Sequence, residues 1–304
     1  MPEEVLAEGG GRVRVGLIDV DSHHFPNLAL MKISAYHKAR GDDVQWAIPL
    51  EHYDIVYQLK VFDDTYSPDI DWQPNADRIV KGGTGYGLDN KLPDEVEHIY
   101  PDYSIYPELT EDTAYGFLTR GCPRHCDFCI VGDKEGLQSV KVADLSEFWR
   151  GQKFIKLLDP NLLACPDRID LLDQLEASRA CVDFTQGLDI RLTNADIADR
   201  LGKIKVKRVH FAWDNPKDKL DAKFAEFAAS YRRKSRKSVY VLTNFGSTME
   251  ENLHRVYTLR DLGYDPYVMV YDKPHAPPEI RRLQRWCNNK FIFKRCEKFE
   301  DYGG

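Results

Sequence analysis

From Ala114 onward, short runs rich in Val, Ile, Phe and Leu alternate with longer stretches whose apolar residues recur at helical spacing, and this repeat narrows the choice of fold more than any other feature. Strands are expected at 115–119, 154–158, 181–185, 206–213, 238–243 and 266–271. Helices are expected at 145–151, 168–177, 194–201, 217–232, 248–262 and 278–286. A further strand at 291–293 is expected to finish the sheet. Strands separated by helix-length segments pair in parallel, because the crossover returns the chain to the same edge. A closed eight-unit barrel takes about 250 residues. Six units over 114–304 therefore predict an open (β/α)6 partial barrel with a C-terminal extension.

A smaller α/β unit is expected ahead of it, over 12–87. Val13–Val20 reads as a strand, Asn27–Arg40 as a helix stopped by Gly41, and 44–48, 54–62 and 79–83 as further strands. The pattern predicts a small doubly wound sheet. Residues 88–113, rich in Pro, Asp and Tyr, show no sustained period and read as a linker wrapping between the two units.

The net charge of −7 gives no support to non-specific nucleic-acid binding, and no nucleic-acid partner is expected. The basic run 231–237 reads as a solvated helix end. No run of 18 apolar residues is present, so no membrane partner is expected. The acidic, Gly-rich segment Met1–Gly11 lacks the pattern of a secretion signal, and a cytoplasmic location is expected. Seven cysteines in a reducing compartment point to metal or redox chemistry before disulfides.

Three of them stand in the run Thr119-Arg-Gly-Cys-Pro-Arg-His-Cys-Asp-Phe-Cys-Ile130, spaced by three residues and then two. Thiolates are the usual ligands of iron–sulfur clusters. Gly121 and Pro123 favour a tight loop that points several thiols at one centre. Three thiolates leave one iron of a four-iron cluster open, as a reactive cluster requires. The loop follows the first strand of the larger unit, and α/β barrels do their chemistry at the C-terminal strand ends. A zinc site completed by His125 or a distant residue is the competing reading, in which the chain is a non-catalytic binding protein. Cys165, Cys181, Cys287 and Cys296 show no further compact spacing and read as inert thiols.

Cys122-x3-Cys126-x2-Cys129, with Phe128 just before the third cysteine and the approach strand Gly116–Gly121, resembles the signature of the radical S-adenosylmethionine superfamily, over about Ala114–Asp272. The resemblance implies a [4Fe–4S] cluster on Cys122, Cys126 and Cys129. It also implies S-adenosylmethionine chelated to the open iron, and reductive cleavage to a 5′-deoxyadenosyl radical that takes a hydrogen atom from substrate. It implies a flavodoxin- or ferredoxin-type electron donor, and a substrate that is a small molecule, a peptide or a nucleotide.

A chelated amino acid needs a cation for its carboxylate, acceptors for its ammonium, and partners for ribose and adenine. Cofactor-binding candidates at the strand ends are Phe128, Asp159 and Asn161, then Gln186, Asp189 and Arg191, then Trp213 and Asp214. Where the family has a Gly-Gly-Glu-like segment against the ammonium, this chain has Asp159-Pro-Asn161, and Asp159 is expected to accept hydrogen bonds there. Arg191 is expected to clamp the carboxylate, Trp213 to stack on adenine and Asp214 to bind ribose. Asn244 and Asp272 are weaker candidates.

The order of the units resembles the subgroup with an N-terminal cobalamin-binding domain of flavodoxin-like type. Asp21-x-His23 matches part of the cobalt-ligating motif, although Pro26 stands where that motif has glycine. The glycine-rich run 82–87 either lets a cofactor approach the backbone or forms a turn. A cobalamin-dependent methyl transfer is thus the alternative to cofactor-free hydrogen abstraction, and a fold that shapes the substrate pocket or mediates contacts is the first reading of this segment.

Overall fold

The computed structural model describes residues 11–22 and 24–303. It is an α/β fold whose sheets are mostly parallel.

The first sheet has the order β2-β1-β3-β4, with β1 Arg14–Asp19, β2 Asp43–Trp46, β3 His52–Leu59 and β4 Asn75–Gly82, all parallel. Helix α1 (Leu28–Ala39) joins β1 to β2. Its start is fixed by Asn27, whose side chain accepts from the backbone N–H of Leu30, and Gly41 at φ +85° takes the chain out of the helix. The other two crossovers, 47–51 and 60–74, carry no helix. The expected doubly wound arrangement is therefore corrected: α1 covers one face, and Ile70 and Trp72 of the second crossover cover Ile18, Tyr53 and Val56 on the other. Strand β4 is also longer than the 79–83 expected.

Residues 88–113 include two single-turn helices, α2 (Asp94–Glu97) and α3 (Pro107–Thr110). Val96 is buried in the first core. Tyr106 donates to Asp19 Oδ2 at 2.5 Å, while Tyr103 donates to the Phe148 carbonyl at 2.6 Å. The segment is thus bonded to elements on both sides of it.

Six parallel strands follow in chain order. Strands β5 (Thr113–Gly116), β8 (Phe154–Leu157) and β9 (Cys181–Phe184) form one sheet. Strands β10 (Arg208–Ala212), β11 (Arg236–Thr243) and β12 (Asp265–Val270) form another. Parallel bridges Val182–Val206 and Leu188–Phe211 set β9 beside β10. Between β5 and β8 lie the antiparallel pair β6 (Thr119–Arg120) and β7 (Val140–Lys141) and the short helix α4 (Val131–Glu135). Helices α5 (Arg168–Ser178), α6 (Ala195–Lys203), α7 (Asp221–Ser230), α8 (Met249–Asp261) and α9 (Pro278–Asn288) follow, with α10 (Lys290–Arg295) last.

The alternation of side chains decides which face carries the core. Ile155, Leu157, Val182, Val209, Phe211, Val239 and Val241 are buried in one cluster with Leu171, Leu201 and Phe224 from the helices. The intervening positions Lys156, Asp183, His210, Tyr240 and Tyr267 stay partly exposed on the opposite face.

Three expectations are corrected. The helix expected at 145–151 is a single turn, Leu145–Glu147, because Gly151 adopts φ +101° and Phe148 turns in against Gly116. The helix expected from 217 begins only at Asp221, since the preceding turn is held by Arg191 and the Trp213 indole on Asp218. The strand expected at 291–293 is instead helix α10, capped by Asn289, whose side chain accepts from the backbone N–H groups of Phe291 and Ile292. No helix among the described residues is long and apolar enough to cross a membrane.

Candidate metal centre

The cysteine loop leaves β6 through Gly121 at φ +83°. A Cβ there would sit 2.1 Å from the Gln138 carbonyl oxygen, so only glycine fits. Glu135, at the end of α4, accepts from the Gly121 N–H at 3.2 Å and from Arg120 Nη1 at 2.9 Å. The Cys122 N–H donates to the Gly136 carbonyl, and the Cys129 N–H donates to the Cys126 carbonyl at 2.9 Å. The loop is therefore pinned at its base and folded on itself within the motif. Cys122 and Cys126 are half-buried and Cys129 is exposed.

Burial pushes the Cys126 thiol pKa up, and the Asp214 carboxylate and the thiols of Cys129 and Cys122 push it further, with Arg191 opposing. The Cys126 thiol thus lies within electrostatic reach of Asp214 and of the other two thiols. No group of three or more His, Cys, Asp or Glu side chains is arranged to hold a metal ion among the described residues. A cluster spreads its thiolates over separate irons, so it needs three thiols facing a common space rather than converging on one point. Three thiols on one short, pinned and partly open loop fit that donor set.

Asn161 and Asp189 support the loop from two strand ends. Asn161 is buried, and its Nδ2 lies 3.5 Å from Cys122 Sγ and 3.5 Å from Asp189 Oδ2. Its Oδ1 is buried without a hydrogen-bond partner. Asp189 accepts from Arg124 Nε at 2.6 Å and from Arg191 Nε at 2.7 Å, as well as from the Arg191 N–H. Burial raises the Asp189 pKa, but the two guanidiniums outweigh it and hold the carboxyl below its ordinary value. Arg191 also donates to Asp218 at 2.5 Å. It is thus already shared between two carboxylates, and a role as carboxylate clamp would fall to its remaining donors.

Asp159 belongs to the loop's approach rather than to its open side. Its carboxylate accepts from the N–H groups of Leu118 and Thr119 and from Thr119 Oγ1 at 2.7 Å. Burial raises its pKa to about 6 against those bonds. It ties the end of β8 to the strand that leads into the cysteines.

Trp213 is corrected as a stacking platform. It is 1% exposed, packs against Phe224 at 5.4 Å and donates its indole N–H to the Asp218 carbonyl. Asp214, next in the chain, is partly exposed, and burial raises its pKa to about 6 against the pull of Arg255 and Arg191. Gln186 is exposed on the turn before Gly187. Phe128 is half-buried and meets Phe245 edge-on at 5.5 Å, and Phe245 meets Tyr271 at 4.8 Å. The loop from the first strand therefore reaches across to the turns after β11 and β12. In those turns Asn244 donates to the Tyr271 carbonyl at 2.8 Å, and Asp272 accepts from His275.

Sequence reasoning missed Arg124 and Arg255. Arg124 lies inside the cysteine motif, between Cys122 and Cys126. Arg255 is fully buried on α8, and its guanidinium donates to the carbonyls of Trp213 (2.6 Å), Asp214 (2.9 Å) and Leu242 (2.9 Å). The available signal was spacing: Asn252 and Arg255 share the helical face of Val256 and Leu259.

The N-terminal segment accounts for its own polar groups. Asp21 accepts from the N–H groups of Val61 and Phe62, both at 2.8 Å. His23 lies outside the described residues. Cβ atoms at Gly83 and Gly85 would fall 2.3 Å from the Lys60 carbonyl oxygen and 2.2 Å from that of Phe62, so the close approach at this run is the chain's own backbone. Cys165 and Cys287 are buried, with the Cys287 thiol pushed up to about 12 by burial.

No family model matches the chain, and no curated protein matches it.

Proposed function

We propose that this chain is a radical S-adenosylmethionine enzyme that takes a hydrogen atom from its substrate. The supporting observation is the loop of Cys122, Cys126 and Cys129, pinned at the C-terminal side of a parallel sheet with Asn161 and Asp189 converging on it from the next two strand ends. In this reading the six sequential strands form an open partial barrel over 114–304, and 12–87 shapes the access to it.

Cys122, Cys126 and Cys129 would hold the [4Fe–4S] cluster. Such a cluster, with S-adenosylmethionine bound, would supply the one-electron chemistry needed for hydrogen abstraction. The chain's own residues bind and orient. Asn161 Oδ1, a buried acceptor facing no protein donor, suits an ammonium group. Arg191 suits a carboxylate, and Asp214 suits a ribose hydroxyl. A flavodoxin- or ferredoxin-type protein would deliver the electron. Among the described residues, which leave out His23, Asp21 and the glycine run are engaged by the chain itself, and hydrogen abstraction without cobalamin is the reading preferred.

Anaerobic reconstitution with iron and sulfide tests the reading. The expected product is brown protein with a reduced-cluster EPR signal that changes on adding S-adenosylmethionine, followed by 5′-deoxyadenosine release with dithionite. Replacing all three cysteines by alanine should abolish each signal. Colourless protein with one zinc per chain after reconstitution would establish the binding-protein reading instead.

A further inference from the structure

The three cysteines stand in unequal surroundings. Cys122 and Cys126 are half-buried, and Cys129 is exposed. Cys122 alone among the three has a buried side-chain amide beside its sulfur, Asn161 Nδ2 at 3.5 Å. The orientation of that amide is not free. The same Nδ2 lies 3.5 Å from Asp189 Oδ2, an acceptor-only oxygen, so the NH2 end and not the carbonyl end must face the pair. Asp189 is itself held by Arg124 and Arg191, and the Asn161 backbone carbonyl accepts from Ser139 Oγ at 2.9 Å. The N–H is therefore aimed at the Cys122 sulfur by a network built from the cysteine loop and the ends of β8 and β9.

We infer that Asn161 is a positioning residue that sets the reduction potential of the centre through an N–H···S bond to Cys122. This rests on the cluster reading above. A donor to a ligand sulfur withdraws electron density from the thiolate and stabilises the more negative, reduced cluster, so it raises the potential. The structure places one such donor on one sulfur, and the donor side chain is itself buried, so the bond is partly shielded from solvent.

The experiment is an EPR-monitored redox titration of the anaerobically reconstituted full chain, as wild type, Asn161→Leu and Asn161→Ala, at matched iron content. Leucine keeps the branched shape at a somewhat larger volume and alanine opens a cavity, but both lack the donor. Both variants are expected to show a more negative midpoint potential than wild type, by similar amounts. Potentials unchanged in both, or a shift in the alanine variant alone, would overturn the assignment, since the second pattern reports packing. Loss of iron from both would also overturn it, by making Asn161 a requirement for holding the loop. If wild type itself takes up no iron, the cluster reading fails and carries this inference with it, an outcome told apart by the missing signal in wild type.

Discussion

Arg124 Nε and Asp189 Oδ2 lie 2.6 Å apart, joining the middle of the cysteine motif to the turn after β9 across 65 residues of sequence. Asp189 is buried and Arg124 is about one-third exposed, so the two ends of the pair are not equivalent. Removing the carboxylate takes an acceptor from two guanidiniums and an amide, leaving Arg191 only Asp218, whereas removing Arg124 leaves Asp189 still paired with Arg191. Asp189→Ala is expected to destabilise by about 3 kcal/mol and Arg124→Ala by about 1 kcal/mol. Urea unfolding of the iron-free protein measures both. Equal effects from the two variants would show that the pair does not anchor through its buried partner.

Asp159 gives a pH dependence of definite sign. Burial raises its pKa from 3.8 to about 6, so between those values the folded state holds a proton that the unfolded chain has lost. Its contribution is present below about pH 4 and is lost as pH rises through 6, a change on the order of 3 kcal/mol. Asp159→Asn has no proton to lose. The stability difference between wild type and this variant should therefore move against wild type from pH 4 to pH 7. A difference that stays flat over that range would mean the bonds from Leu118 and Thr119 outweigh burial.

The glycine-rich run gives a test that needs no cofactor. Gly83 (φ +90°) and Gly41 (φ +85°) share a left-handed backbone, but a Cβ at Gly83 would strike the Lys60 carbonyl oxygen at 2.3 Å, while one at Gly41 meets nothing within 4 Å. Gly41→Ala should cost only the conformational penalty, about 1 kcal/mol. Gly83→Ala should cost that plus a backbone displacement, together about 3 kcal/mol or more. Thermal unfolding compares them. Equal losses at the two positions would remove the explanation of this run by backbone crowding.

What the sequence made legible was whatever depends on period. The six strands after Ala114 fall within a few residues of their expected places, because one face of each must be apolar against helices. The reading failed where short segments are decided by single contacts. Phe291-Ile-Phe293 alternates like a strand, which would put both phenylalanines on one face. In α10 they separate: Phe293 packs on Trp286 at 4.8 Å, while Phe291 is 85% exposed. The helical crossovers expected of a doubly wound sheet failed similarly, since nothing in the period of 60–74 shows that Ile70 and Trp72 would cover the second face without a helix. At the site, the cysteines, Asn161 and Asp189 were legible as residue types at strand ends. The bonds joining them were not, because each links positions at least 28 residues apart.

Arg255 carries the last prediction. It is a buried cation whose guanidinium closes three carbonyls at the ends of β10 and β11, and burial lowers its pKa to about 10 with Asp214 opposing. Those carbonyls belong to Trp213, Asp214 and Leu242, so the same side chain fixes the backbone at Asp214, whose carboxylate acts on the Cys126 thiol. Lysine keeps the charge but lacks the planar fork needed to reach all three oxygens. Arg255→Lys is expected to destabilise by about 2–3 kcal/mol, and Arg255→Leu by more, because it leaves every carbonyl without its donor. Chemical denaturation gives the magnitudes. Reconstituted Arg255→Lys should also show a changed EPR line shape with S-adenosylmethionine, through the displaced Asp214 backbone. A variant with wild-type stability would show that water replaces the guanidinium at these strand ends, and the rigid support argued for Asp214 would be wrong.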